Sequence, residues 1–276
     1  MMLLAAGSTL AAPFQVEVTG KANQPSMILI PGLASSGDVW TSTVARYKDR
    51  YQCHVLTLAG FAGVPPAKAD TPILPRVVAG LAAYIDERKL KRPVMVGHSL
   101  GGEVALALAS AHPGLVGELV IVDALPNLGA IFGADYDAAK LRDRVAGQPR
   151  AEYEAFVRSG QSLQGMITGD AHLETLKDWS LRSDQATVAK AMYELATMDL
   201  TPGLHKIRSR ALVLGTWIGL KSFTTREVVE GNFRKQYASL AGHRFAMAEN
   251  ARHFIMYDDP AWFFAQIDAF LTDGVR

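Results

Sequence analysis

Apolar residues along this chain fall into two alternating rhythms. Short, nearly unbroken runs of Val, Ile, Leu, Met and Phe occupy 14–18, 27–30, 54–58, 94–96, 119–122, 211–215 and 245–248. Each has the length of a strand rather than a helix. Most run on without polar interruption, which predicts strands covered on both faces, as in a parallel sheet. Between them, helical spacing and stop signals predict helices near 38–47, 74–89, 99–111, 225–240 and 261–271. Alternation of this kind predicts an α/β fold: a mostly parallel sheet of about seven or eight strands with helices on both faces.

One interval breaks the alternation. Between the strands at Leu119 and Ala211 the chain is helical in character and is punctuated by Pro126, Gly133, Gly147-Gln148-Pro149, Gly165 and Gly169. It is too long for an ordinary crossover. The expected organisation is therefore a core of 13–125 and 206–276 interrupted by a helical cap at 126–205. Most apolar residues of that cap are expected to form its own core, with a few lining an entrance.

Composition narrows the function classes. The chain has 276 residues, 49% hydrophobic and 20% charged, as a soluble globular protein with a substantial core does. Its 28 basic and 27 acidic residues are mixed along the chain and sum to a formal charge of +1. A basic face for nucleic acid is thus not expected. No apolar run reaches the roughly 18 residues needed to span a bilayer, so no integral membrane span is expected. The single cysteine, Cys53, rules out an intrachain disulfide and lies in an apolar strand, where a buried thiol is the expected role. Residues 1–13 are apolar and rich in small residues, with a Thr-x-Ala at 9–11, but lack a basic start. Residues 1–12 read as the remnant of an export signal, making export the expected localisation and the cytoplasm the alternative.

The chemistry is concentrated at Gly97-His98-Ser99-Leu100-Gly101. It follows the strand Val94-Met95-Val96 and opens an alanine-rich helix closed by His112-Pro113-Gly114. A serine at the tip of such a sharp strand-to-helix turn adopts a strained backbone, and side chains two residues to either side would collide; glycine stands at both places. The helix N-terminus then points free N–H groups and partial positive charge at the serine. Neither a Walker pattern nor a His-x-x-x-His is present, so no cofactor or metal is expected.

With this elbow and the alternating strands and helices around it, the chain resembles the α/β-hydrolase family from about Phe14 onward. Ile28-Leu29-Ile30-Pro31-Gly32-Leu33 is similar to the family's third strand and oxyanion loop. The resemblance implies an oxyanion hole formed by the backbone N–H groups of Leu33 and Leu100, with Gly32 allowing close approach. It places the general base at His253, after the last strand and before the terminal helix. His243 is the only rival, and His54, His98 and His112 read as packing or capping residues. The acid is less direct: the usual loop, 216–221, has no carboxylate. Glu227 and Glu230 follow, at what reads as a helix start. A second family position, as in haloalkane dehalogenase-like members, is the end of the strand after the nucleophile helix, where Asp123 stands.

A serine nucleophile argues against dehalogenase or epoxide hydrolase chemistry, which uses a carboxylate. Leu33, Trp40, Leu125, Leu128, Met166 and Trp217 are expected at an apolar mouth. The expected function is a carboxylic ester or thioester hydrolase acting on a small apolar substrate through an acyl-enzyme. The alternatives are an amidase or lactonase, or a non-catalytic scaffold binding a small molecule. If neither Asp123 nor another carboxylate touches His253, the binding reading or a weak hydrolase gains ground.

Overall fold

A computed structural model describes residues 12–67, 71–132 and 135–273. In chain order the elements are β1 (Phe14–Thr19), β2 (Ser26–Ile30), α1 (Thr41–Tyr47), β3 (Gln52–Leu58), α2 (Ile73–Glu87), β4 (Val94–His98), α3 (Leu100–Ala111) and β5 (Glu118–Val122). Four helices follow: α4 (Ala138–Gly147), α5 (Arg150–Ser159), α6 (Asp170–Arg182) and α7 (Gln185–Thr197). The chain returns to the sheet with β6 (Arg210–Thr216), α8 (Arg226–Gln236), β7 (Arg244–Ala248), a single turn α9 (Ile255–Asp258) and α10 (Pro260–Thr272). All seven expected strands are present, and they form one sheet in the order β1-β3-β2-β4-β5-β6-β7. Only β1 runs antiparallel, against β3; the other pairings are parallel.

The continuous apolar runs are explained by two cores, one on each face. Along β2, Ile28 and Ile30 join the residues of α2 and α3 on one side. Met27 and Leu29 join Val39, Trp40 and the α10 residues Phe263, Ile267 and Phe270 on the other. Side chains alternate across a strand, so a strand covered twice must be apolar at every position. Cys53 is buried in β3, and burial pushes its thiol up to about 11, which makes it unreactive at neutral pH.

The interval that breaks the alternation is a helical insert between β5 and β6. Two of its helices, α4 and α7, begin at side-chain caps: Asp137 accepts the Lys140 N–H and Asp184 the Thr187 N–H, at 3.0 and 2.8 Å. Ile167, Leu176 and Trp179 of this insert merge into the core under the sheet. Among the described residues no helix is long and apolar enough to cross a membrane. The export reading falls on residues 1–12, which apart from Ala12 lie outside the described residues.

Candidate active site

β4, β5, β6 and β7 lie side by side and end at one edge, so the segments leaving them meet there, as ligand sites in parallel α/β sheets do. Ser99 is the first residue beyond β4, with φ 53° and ψ −121°, a conformation that costs a non-glycine residue of order 1–3 kcal/mol. Its N–H is pinned to the Val122 carbonyl of β5 at 2.9 Å. The flanking glycines are required by contact. A Cβ on Gly97 would lie 2.2 Å from the Gly101 oxygen, and one on Gly101 would lie 2.2 Å from the Ile30 oxygen.

Asp123 is the first residue beyond β5 and has φ 45°, in the left-handed region that Asp and Asn tolerate best. Its N–H donates to the Leu214 carbonyl at 2.7 Å, which extends the pairing with β6 by one residue and turns the side chain along the sheet edge. One carboxylate oxygen, Oδ1, accepts the Thr216 N–H at 3.1 Å. The other, Oδ2, accepts the His253 Nδ1–H at 2.6 Å. A histidine bonded this way holds its proton on Nδ1 and leaves Nε2 as a base. The Thr216 hydroxyl also donates to the Ala251 carbonyl, tying the end of β6 to the loop that carries His253.

His98 does more than pack. It is fully buried, and its Nε2–H donates to the His253 carbonyl at 3.0 Å, with the two rings 4.4 Å apart. Burial first, and the neighbouring His253 second, hold its imidazole well below the usual histidine range, so it stays neutral. This role has no sequence signature beyond adjacency to Ser99, because its partner is a backbone carbonyl far along the chain.

A Cβ on Gly32 would lie 3.1 Å from both Ser99 Cβ and His98 Nδ1, so the loop after β2 passes directly over the serine. Among the described residues, no protein acceptor is found for the N–H groups of Leu33 and Leu100. Glu103, in the first turn of α3, is buried, and that burial pushes its carboxyl well above the usual glutamate range.

The remaining expected residues are placed as follows. Glu230 is paired with Arg226 and Arg234, and Glu227 is an exposed residue in the first turn of α8; among the described bonds neither joins His253. His243 bonds the Leu240 carbonyl. Trp40 is not at the mouth: it is fully buried and packs against Phe263, because the 3-10 turn before α1 points it into the core beneath the sheet. Leu125 is buried just past Asp123, and Leu33 is partly buried against the core of the same sheet face. Met166 is exposed and its carbonyl accepts the Phe254 N–H, next to His253. Trp217 is half-buried and its indole N–H donates to Glu249 at 3.3 Å. Among the described residues no three His, Cys, Asp or Glu side chains gather as a metal site.

A family model described as the alpha/beta hydrolase family matches residues 27–266. The chain belongs to that family. It is similar to a Rhizobium rhizogenes protein named as a candidate carbamate hydrolase, RutD, 22% identical over 94% of this chain and 97% of that one. It is also similar to a pimeloyl-[acyl-carrier protein] methyl ester esterase from Aeromonas hydrophila, 33% identical over 37% of this chain and 39% of the relative. Among solved structures it resembles the enol-lactonase from Burkholderia xenovorans LB400, with a TM-score of 0.78 and 18% identity, covering 94% of this chain and 96% of the other. This alpha/beta hydrolase is a hydrolase by family.

Proposed function

We propose that this hydrolase cleaves a carboxylic ester of a small, largely apolar substrate by way of an acyl-enzyme on Ser99. His253 Nε2 takes the hydroxyl proton as Ser99 Oγ attacks the carbonyl carbon, and Asp123 holds the imidazole in the required tautomer and stabilises the imidazolium. The carbonyl oxygen becomes an anion between the N–H groups of Leu33 and Leu100. The His253 proton then passes to the leaving alkoxide, the C–O bond breaks, and the acyl group stays on Ser99. Water, deprotonated by His253, attacks the acyl carbon; collapse returns the proton to Ser99 and releases the acid.

The observation that carries this reading is the 2.6 Å Asp123–His253 hydrogen bond at the edge where Ser99 stands strained. Loss of any carboxylate partner for His253 would have favoured the binding reading, and Asp123 supplies that partner. The half-buried Trp217 and exposed Met166, on segments next to Asp123 and His253, suit an apolar acyl group. Likeness to a methyl ester esterase supports an ester, while likeness to a candidate carbamate hydrolase keeps the C–N bond as the second reading. The test is hydrolysis of p-nitrophenyl esters from acetate to decanoate by the parent and by Ser99→Ala at matched folding. Turnover in the parent and its loss in the variant is the expected result, and the chain-length optimum sizes the acyl pocket. Equal, near-background rates in both would overturn the esterase reading.

A further inference from the structure

The loop from β7 to α9 carries His253 without helix or strand hydrogen bonds of its own. Its register therefore depends on what holds its flanks. On one flank, the Arg252 guanidinium donates through Nη1 to the carbonyls of Gln164 and Ile167, the latter at 2.8 Å. On the other, the Phe254 N–H donates to the Met166 carbonyl at 3.1 Å. The Asp258 carboxylate accepts both the Thr168 N–H and its hydroxyl at 3.0 Å, then reaches back to accept the Arg252 N–H at 2.9 Å. All the remote partners belong to one turn of the insert, residues 164–168, between α5 and α6. That turn is anchored from below by Ile167, which is buried in the core under the sheet.

We propose that Arg252 and Asp258 are positioning residues: they latch the His253 loop to the 164–168 turn, so that the alignment of His253 on Asp123 depends on the insert being docked. The proposal rests on the reading of His253 as the general base. Its physical basis is the mismatch between what catalysis demands and what the loop supplies. Misplacing a catalytic group by about 1 Å can cost about a hundredfold in rate. A segment of irregular backbone holds such precision only through bonds to rigid neighbours. Charge-assisted bonds from a guanidinium to carbonyls and from N–H and hydroxyl groups to a carboxylate are the strong kind. A merely structural latch would cost stability and leave the chemistry of the folded fraction alone.

The test compares the parent with Arg252→Gln, Arg252→Lys and Thr168→Val by three readouts: kcat and KM for p-nitrophenyl butyrate, the melting temperature, and the far-downfield proton resonance of His253 Nδ1–H. Arg252→Gln is expected to lower kcat by about tenfold or more with KM within about twofold, and to shift or broaden the resonance. Arg252→Lys, which keeps one charged donor for the Ile167 carbonyl, should recover most of the loss. Thr168→Val, which alters only the insert side of the latch, should move kcat and the resonance in the same direction by less. The proposal is overturned if the folded variants keep the parent's kcat and resonance, or if activity falls only in proportion to unfolded protein. Should Arg252→Gln fail to fold, Thr168→Val decides by the same criteria. If the parent hydrolyses no ester, the proposed function fails while the resonance comparison still decides the latch.

Discussion

Replacing Asp123 by Asn alters one atom at the centre of the proposed mechanism and little else. The φ of 45° at this position is one that Asn tolerates as readily as Asp, so the turn after β5 is kept. The side-chain oxygen can still accept the Thr216 N–H, now 3.1 Å from Oδ1. What faces His253 Nδ1 at 2.6 Å is then an amide NH2 in place of a carboxylate oxygen. Two donors cannot share that gap, so the imidazole proton moves to Nε2, the atom that must accept the proton of Ser99. Flipping the amide restores an acceptor for His253 but sets NH2 against the Thr216 N–H, and it still lacks the charge that stabilises an imidazolium. The expected loss is about 10⁴-fold in kcat, or about 5.5 kcal/mol at 1.36 kcal/mol per decade. The assay is p-nitrophenyl butyrate hydrolysis at neutral pH by protein of unchanged melting temperature, with Glu230→Gln as the control. Glu230 is committed to Arg226 and Arg234 in a partly exposed cluster, so its removal should change the rate by about twofold or less. A loss of tenfold or less in Asp123→Asn, or a larger loss in Glu230→Gln, would refute the assignment of the acid.

Two further outcomes concern the scaffold beneath the site. Gly101→Ala would bring a Cβ within 2.2 Å of the Ile30 backbone oxygen, forcing the elbow away from the end of β2. Overpacking of that kind costs about 1–3 kcal/mol; at roughly 2–4 °C per kcal/mol, thermal denaturation should register the drop, and an unchanged melting temperature would show that the contact relaxes freely. Glu103 supplies a pH dependence. Its folded carboxyl sits well above the ordinary range through burial, so the folded state holds a proton that the unfolded chain releases as pH rises. Stability from this group is complete below the unfolded value and falls as pH climbs towards the folded one, at about 1.4 kcal/mol per unit of that interval. Glu103→Gln removes the dependence. The variant should gain on the parent by on the order of 1 kcal/mol between weakly acidic and weakly alkaline buffer, and a melting-temperature difference that does not change with pH would contradict a buried neutral acid.

What was legible in the sequence divides along the range of the interactions involved. The strands could be read because burial on two faces demands apolar side chains at consecutive positions, as in β2, where every residue from Met27 to Ile30 is fully buried. The elbow could be read because its glycines are forced by clashes within a few residues of Ser99 and with the neighbouring strand end. The positions of Asp123 and His253 followed from family order, and the structure brings both to the edge where Ser99 stands. Trp40 was misplaced because an aromatic residue in a 3-10 turn can be aimed at either side of the sheet, and only the fit against Phe263 selects one. The bonds from His98 to the His253 carbonyl, and from Arg252 to the carbonyls of Gln164 and Ile167, were invisible for a different reason. A backbone carbonyl is the same at every position, so a side chain that bonds one leaves no complementary residue type to find.

That asymmetry bears on how the fold controls its base. Ser99 and Asp123 are each one residue beyond a strand, and their backbone N–H groups are bonded into the sheet at 2.9 and 2.7 Å. Both inherit the rigidity of a seven-stranded platform. His253 lies five residues past β7, and its loop is steadied from three sides: Thr216 on the Ala251 carbonyl, His98 on its own carbonyl, and the insert through Arg252, Phe254 and Asp258. The first two supports come from the sheet and are fixed. The third comes from residues that share their chain segment with the exposed Met166 beside the site. Under the proposed function and latch, a substrate that packs against that segment would also act on the loop that carries His253, which would couple acyl-group recognition to the alignment of the proposed base without any separate regulatory element.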